Sequence, residues 1–170
     1  MSQLDLIIEE LAPYDKEKAV DVLVSSYEQY QNSYSNVQDY YDYMEYIRAS
    51  LDNPLIAKVL IAKIGHEIVG TLQIFSNGTD AYEDLNMPIN APVVRLLGVH
   101  PKIRGRGIAR KLLEASINYA KVQGANSLYL HTSEKMQDAI RLYERFGFVR
   151  SLEYDYDILD FTVMCYKYDL

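Results

Sequence analysis

The amino-acid sequence predicts an α/β fold: a mixed, mostly antiparallel sheet with a central parallel strand pair, flanked by helices. Three observations carry this. Residues 93–131 read strand, helix, strand: a nearly continuous apolar run at 93–99, a helix over 108–122 and a short strand at 127–131. Such a step joins two parallel strands by a right-handed crossover. Apolar runs at 56–64 and 68–75 flank the break Gly65-His66-Glu67, which reads as an antiparallel hairpin. Two helical periodicities precede that hairpin.

The elements follow in order. Residues 7–11 read as a first strand, and Pro13 with Asp15 announce a helix. Val20, Leu23, Val24 and Tyr27 then repeat at i, i+3, i+4, i+7, one buried helical face. Val37, Tyr40, Tyr41, Met44, Ile47, Arg48 and Leu51 mark a second helix. It stops near Asn53-Pro54, because the residue before proline disfavours the helical region. After the hairpin, residues 76–91 hold Gly78, Pro88 and several Asn and Asp, the composition of a loop. The run at 93–99 is apolar on both faces, as in a strand covered on both sides. Gly124 ends the helix that begins at Ile108, the usual role of a C-terminal glycine. Ser133 can cap a helix over 134–146, which Gly147 stops. Strands at 148–154 and 158–168 close the order β-α-α-β-β-β-α-β-α-β-β.

With 170 residues, 49% apolar and 24% charged, the chain fits a single globular domain over residues 1–170. Lys58, Lys63 and Arg95 interrupt the best apolar runs, so no membrane association is expected. The opening MSQLDLIIEE has acids where a signal peptide has basic residues. The one cysteine, Cys165, suits a reducing cytoplasm. A net charge of −7 argues against nucleic-acid binding. It is compatible with a cationic partner, and a homodimer is compatible with the sequence. No metal is expected.

One segment runs against the overall charge. Residues 100–111 carry Lys102, Arg104, Arg106, Arg110 and Lys111, five of seventeen basic residues, with no acid among them. Gly105 and Gly107 let consecutive N–H groups point into one concavity. The following helix adds its unpaired N-terminal N–H groups and the positive end of its dipole. Strand, glycine loop and helix together can hold a phosphate or pyrophosphate. A P-loop would need Gly-Lys-Ser/Thr, but Ile108-Ala109 follow Gly107; a dinucleotide fingerprint would need a small residue where Arg110 stands. A solvated basic turn is the plainer reading of RGRG taken alone.

RGRG does not stand alone. LLGVHPKIRGRGIARKLLEAS, followed by AIRLYERFGFV, resembles the GNAT superfamily of acetyl-CoA-dependent N-acetyltransferases. Arg104-x-x-Gly107-x-Ala109 is similar to its pyrophosphate motif, and Ala139-x-x-x-Tyr143-x-x-x-Gly147-Phe148 to its second signature. The resemblance covers roughly residues 93–150.

That resemblance implies a GNAT-like fold and direct transfer of acetyl from acetyl-CoA to a primary amine, small or on a peptide or protein. It implies that Leu97, Gly98 and Val99 pair with the pantetheine arm as an added strand would. The N–H groups of Arg104, Gly105, Arg106, Gly107, Ile108 and Ala109 would hold the pyrophosphate. An N–H near Val99 would polarise the thioester carbonyl. Tyr143 matches the general acid for the departing thiolate; packing in the core is the alternative for it. Met136 stands where the family often has Asn, so Thr132 or Ser133 would supply that polar contact. The strand at 93–99 has Arg95 and no acid, which leaves the base among Glu83, Asp84, His100 and His131. A non-catalytic acyl-CoA-binding domain is the competing reading.

YEQYQNSYSNVQDYYDYMEY, residues 27–46, holds seven of sixteen tyrosines, four carboxylates and no Lys or Arg. Helical phase puts Tyr27, Tyr30 and Tyr34 on the first helix's apolar face, and Tyr40 and Tyr41 on the second's. Tyr43 lies at that face's edge and Tyr46 nearly opposite it. The resemblance implies that these helices border the acceptor side. Tyr30, Tyr34 and Asp39 are the candidates to line an entrance for a cationic amine, through ring faces and carboxylate.

Overall fold

The computed structural model describes residues 5–170. β1 (Leu6–Glu10) precedes a 3₁₀ turn at Pro13–Asp15, where proline presets the backbone for α1 (Lys16–Tyr27). Glu28–Ser33 tighten into a 3₁₀ turn. The Asn36 side chain then accepts the Gln38 N–H at 2.8 Å and starts α2 (Val37–Ala49). β2 (Ile56–Ile64) and β3 (Glu67–Phe75) meet at Gly65, whose φ of 63° the reversal requires. β4 (Val93–Val99), α4 (Ile108–Val122) and β5 (Ser127–Ser133) supply the expected strand, helix, strand. α5 (Gln137–Phe146), β6 (Val149–Arg150), β7 (Tyr156–Ile158) and β8 (Phe161–Asp169) complete the chain. The fold is the expected α/β one, with β4 and β5 as the parallel pair and antiparallel strands beside them.

The structure departs from the sequence reading at several elements. The loop at 76–91 contains a short helix, α3 (Gly78–Ala81), because the Asn77 side chain accepts the Asp80 N–H at 2.8 Å. α5 begins at Gln137 rather than at residue 134, because Ser133 spends its cap on the Lys135 N–H within a turn. The expected strand at 148–154 is β6 followed by a 3₁₀ turn, Leu152–Tyr154. The strand read over 158–168 begins only at Phe161, as β8; Ile158 ends β7 and pairs with Phe161 across a reversal where Leu159 takes φ 53°. Val37 and Tyr41 are 55% and 52% exposed. The buried stripe of α2 is Tyr40, Met44 and Ile47, narrower than the sequence face suggested.

The described residues divide into two compact units. One holds residues 5–73 and Leu96–Ala115. In it β1 and β2 pair from Leu6↔Ile64 to Glu10↔Leu60, and β3 follows β2 in the sheet order. Leu23, Val24, Tyr40, Met44, Ile47 and Leu96 bury one cluster under the two helices. Ala19, Val22, Leu51, Ile61 and Ile68 bury another. Fully burying one such aliphatic side chain stabilises by about 1.5–3 kcal/mol. Lys63 ties β2 to the opening segment, 3.1 Å from Glu9 and 2.9 Å from Asp15.

The second unit holds Ile74–Arg95 and Ser116–Leu170. Val93 and Val94 pair in parallel with Tyr129 and Leu130. β5 pairs antiparallel with β8 from Ser127↔Asp169 to Ser133↔Val163. Burial along β5 alternates with the period of two that a strand imposes: Leu128, Leu130 and Thr132 are buried, the residues between them half-buried. Tyr129 and His131 therefore occupy the opposite face, where Tyr154, Tyr156 and Tyr82 pack against them.

Candidate active site

The phosphate loop is built as its residues dictate. Gly105 and Gly107 have φ of 81° and 77°, where an L side chain would be strained. A Cβ at either would meet nothing within 4 Å, so the loop faces open space. Arg104, Gly105, Arg106 and Gly107 are exposed. The first hydrogen bond of α4 runs from the Lys111 N–H to the Gly107 carbonyl at 3.1 Å. The N–H groups of Ile108 and Ala109 therefore precede the helical ladder, at the positive end of the dipole. Lys102 and Arg106 stand exposed in the same segment. This donor set fits a pyrophosphate.

Two features of this unit have no signature in the sequence. Leu96 takes φ 52° inside β4. A left-handed residue costs roughly 1–2 kcal/mol, so the run read as an uninterrupted strand is locally distorted. Leu97–Val99 follow this distortion. Gly98 is buried against α1: a Cβ there would lie 2.2 Å from Ser26 Oγ. Arg104 Nη2 donates to the Ser26 carbonyl at 3.0 Å, and Gln29 Nε2 donates to the same oxygen at 2.9 Å.

The tyrosines of this unit form a connected aromatic group. Tyr43 packs on Tyr27, Tyr34 and Tyr46, with centroids at 6.1, 6.3 and 5.9 Å. Tyr34 also meets Tyr40 at 5.8 Å, and Tyr27 meets Tyr30 at 5.9 Å. Tyr30 thus lies in the 3₁₀ turn, and Tyr34 follows it and lies against α2, so neither extends the apolar face of α1 as the helical phase suggested. Burial, with Asp39 and Tyr40 nearby, pushes the Tyr34 phenol up to about 12. Tyr40 is raised by burial and by Glu28 and Tyr41. These phenols stay neutral, and the carboxylates carry the charge. Tyr30, Tyr34 and Asp39 are each half-buried. Tyr46 is 45% exposed, in keeping with its phase.

In the second unit, Tyr143 is buried on α5 and meets Phe148 edge-on at 6.0 Å. Thr132 is buried, its hydroxyl donating to Met136 Sδ at 3.5 Å. Ser133 Oγ accepts the Lys135 N–H at 3.1 Å. The candidate bases differ in state. Glu83 and Asp84 are exposed. His100 Nδ1 is engaged by the Lys102 N–H at 3.1 Å. His131 Nε2 lies 2.9 Å from the Tyr154 carbonyl, and burial holds its pKa down to about 4. The ring is therefore neutral at pH 7. Its Nε2–H donates to Tyr154, while Nδ1 is buried with no hydrogen-bond partner among the described residues. Tyr82 and Tyr156 pack on this ring at 4.8 and 5.5 Å. Arg95, the basic residue of β4, donates to the Ala81 carbonyl at 2.9 Å and lies 4.5 Å from the Tyr82 ring centre. Cys165 is buried, and burial pushes its thiol up to about 12, which makes it inert as a nucleophile.

A model of the acetyltransferase (GNAT) family matches residues 20–148. N-alpha-acetyltransferase 30 of Schizosaccharomyces pombe is 39% identical over 57 residues, 34% of this chain and 38% of that protein. The uncharacterized N-acetyltransferase YjgM of Escherichia coli is 42% identical over 48 residues, 28% of this chain and 29% of that one. Those segments amount to well under half the length of the curated relatives. PH1933 of Pyrococcus horikoshii OT3 superposes with a TM-score of 0.67 at 26% identity, covering 98% of this chain and 100% of that one. The PaiA N-acetyltransferase of Thermoplasma acidophilum, solved in complex with coenzyme A, gives a TM-score of 0.68 at 18% identity. It covers 96% of this chain and 99% of its own, a likeness of fold. Because the family model spans both the glycine loop and the Tyr143 signature, this chain belongs to the GNAT acetyltransferase family.

Proposed function

We propose that the protein is an N-acetyltransferase using acetyl-CoA and a primary amine. The observation that carries this is the open, basic, glycine-turned segment Arg104–Ala109 at the head of α4. Its N–H groups hold the pyrophosphate, and the backbone of Leu97–Val99 receives the pantetheine arm, with Ser133 as a side-chain donor. Acetyl-CoA supplies the activated acetyl group as a thioester. The Val99 N–H polarises the carbonyl, and the Tyr143 phenol protonates the departing sulfur. A phenol with a reference pKa of about 10 is protonated at neutral pH and able to donate.

Of the four candidate bases, His131 has a buried Nδ1 lone pair that is unbonded among the described residues. A pKa of about 4 gives it little proton affinity. The amine must therefore shed most of its proton to water first. It follows that kcat/KM rises about tenfold per pH unit until the amine's own pKa is reached. Tyr30, Tyr34 and Asp39 are the proposed acceptor-side residues, and an amine with a second positive charge suits their ring faces and carboxylate.

The test follows thiol release from acetyl-CoA with monoamines, diamines, amino acids and a peptide, and identifies the acetylated amine by mass. Thiol and acetylated amine in equal amounts support the reading. Tight coenzyme A binding without transfer to any amine would mark a non-catalytic acyl-CoA-binding domain. No coenzyme A binding would remove both.

A further inference from the structure

Ser26 is the penultimate residue of α1 and is 3% exposed. Its hydroxyl donates to the Leu23 carbonyl at 2.7 Å. Its side chain lies against the backbone of β4 at Gly98, where only glycine leaves room. Its own carbonyl, among the last of α1 and at the negative end of the helix dipole, receives Arg104 Nη2 at 3.0 Å and Gln29 Nε2 at 2.9 Å. The next residues are Tyr27 and the 3₁₀ turn that carries Tyr30. Arg104 is 78 positions away in sequence and opens the glycine loop.

We propose that Arg104 is a positioning residue that ties the phosphate loop to the tyrosine-bearing turn, so that filling the loop orders the acceptor side. The backbone of Arg104 belongs to the loop, and its guanidinium fixes the end of α1. An anion that orders the loop fixes the root of that side chain. The Ser26 carbonyl then has a steadier donor, and the turn after it loses freedom. Linkage makes the effect reciprocal: an occupied acceptor site favours an occupied loop by the same factor. The kinetic consequence rests on the transferase reading; the structural one does not.

The test uses the full chain with Arg104→Met, which keeps length and removes the charge, and Arg104→Lys, which keeps the charge without the fork. Backbone hydrogen exchange over residues 27–34 is measured with and without coenzyme A. In the wild type coenzyme A is expected to slow exchange there. In Arg104→Met exchange is expected to be faster at the start and unresponsive to coenzyme A, even at concentrations that saturate the variant. At saturating acetyl-CoA the acceptor KM is expected to rise about tenfold, the scale of a hydrogen bond from a charged donor, and Arg104→Lys to recover part of it. Gln29→Leu, at an exposed position, removes the neutral donor from the same carbonyl and is expected to cause a smaller rise. Unchanged exchange at 27–34, or an increase confined to the acetyl-CoA KM, would reduce Arg104 to a phosphate ligand and overturn the proposal. If the wild type transfers no acetyl group, the exchange arm still decides it.

Discussion

The loop at 104–109 and the segment at 27–46 both belong to the same compact unit, yet they are built on opposite principles. The loop presents backbone. Two glycines at positive φ and one helix start determine its shape; its side chains add positive charge and, through Arg104, one tie to the Ser26 carbonyl. The second segment presents side chains. Its tyrosines satisfy one another around Tyr43, and its charge comes from carboxylates. A backbone site for a common chemical group leaves a short motif, because glycine is required wherever φ is positive. A surface of rings and carboxylates leaves only a composition, because many arrangements of tyrosine pack equally well.

Substitutions in and around the two regions test this contrast. The largest effect is expected outside both regions, at the group proposed to act on the leaving thiolate. Tyr143→Phe should lower kcat by about 10²- to 10⁴-fold, the usual worth of a general acid, with coenzyme A affinity unchanged by titration calorimetry. Unchanged turnover with chemistry rate-limiting would return Tyr143 to a packing role. Next comes His131, whose folded-state pKa of about 4 lies below its ordinary 6.5. Between these values the unfolded chain binds the proton and the native chain does not, so stability is fully present above pH 6.5 and lost as pH falls towards 4. Arg95 and Asp155, its charged neighbours, act in opposite directions on it. The loss should reach about 3 kcal/mol by urea unfolding at several pH values, and His131→Phe should flatten that part of the profile. A profile equally steep in the variant would assign the acid sensitivity elsewhere.

Within the loop, Gly107→Ala forces a methyl group onto a backbone at φ 77°. At a strain of about 1 kcal/mol, the lower end of the cost of left-handed backbone for an L residue, the acetyl-CoA KM should rise severalfold. The smallest effect belongs to the tyrosine segment. Tyr34→Ala and Asp39→Asn should each raise the KM of a cationic acceptor about two- to fivefold, as a cation–π or charge contact that water still reaches is worth only ~0.5–1 kcal/mol. An uncharged acceptor should not respond.

The same contrast governs how much was legible in the sequence. β2 and α4 fall where the apolar runs and Gly124 put them, because period and punctuation are local. The β7–β8 hairpin was missed because its reversal uses Leu159 at positive φ, where the sequence offers no glycine. The distortion at Leu96 was missed for the same reason. His131 could be named as a base candidate from its place at a strand end. Its neutral, aromatic-packed state depends on Tyr82 and Tyr156, which are far from it in sequence. The Arg104–Ser26 contact has no local signal at all. The exposure of Val37 and Tyr41 shows the limit of helical phase, which gives a face but not its width.

The proposed division of labour gives acetyl-CoA to the loop and the amine to the tyrosine segment. Two-substrate kinetics on Gly107→Ala and Asp39→Asn, with one cationic acceptor, separates the two roles. Gly107→Ala is expected to raise chiefly the acetyl-CoA KM and Asp39→Asn only the acceptor KM. If both variants raised the same KM, or if Asp39→Asn left the acceptor KM unchanged, the division would be contradicted.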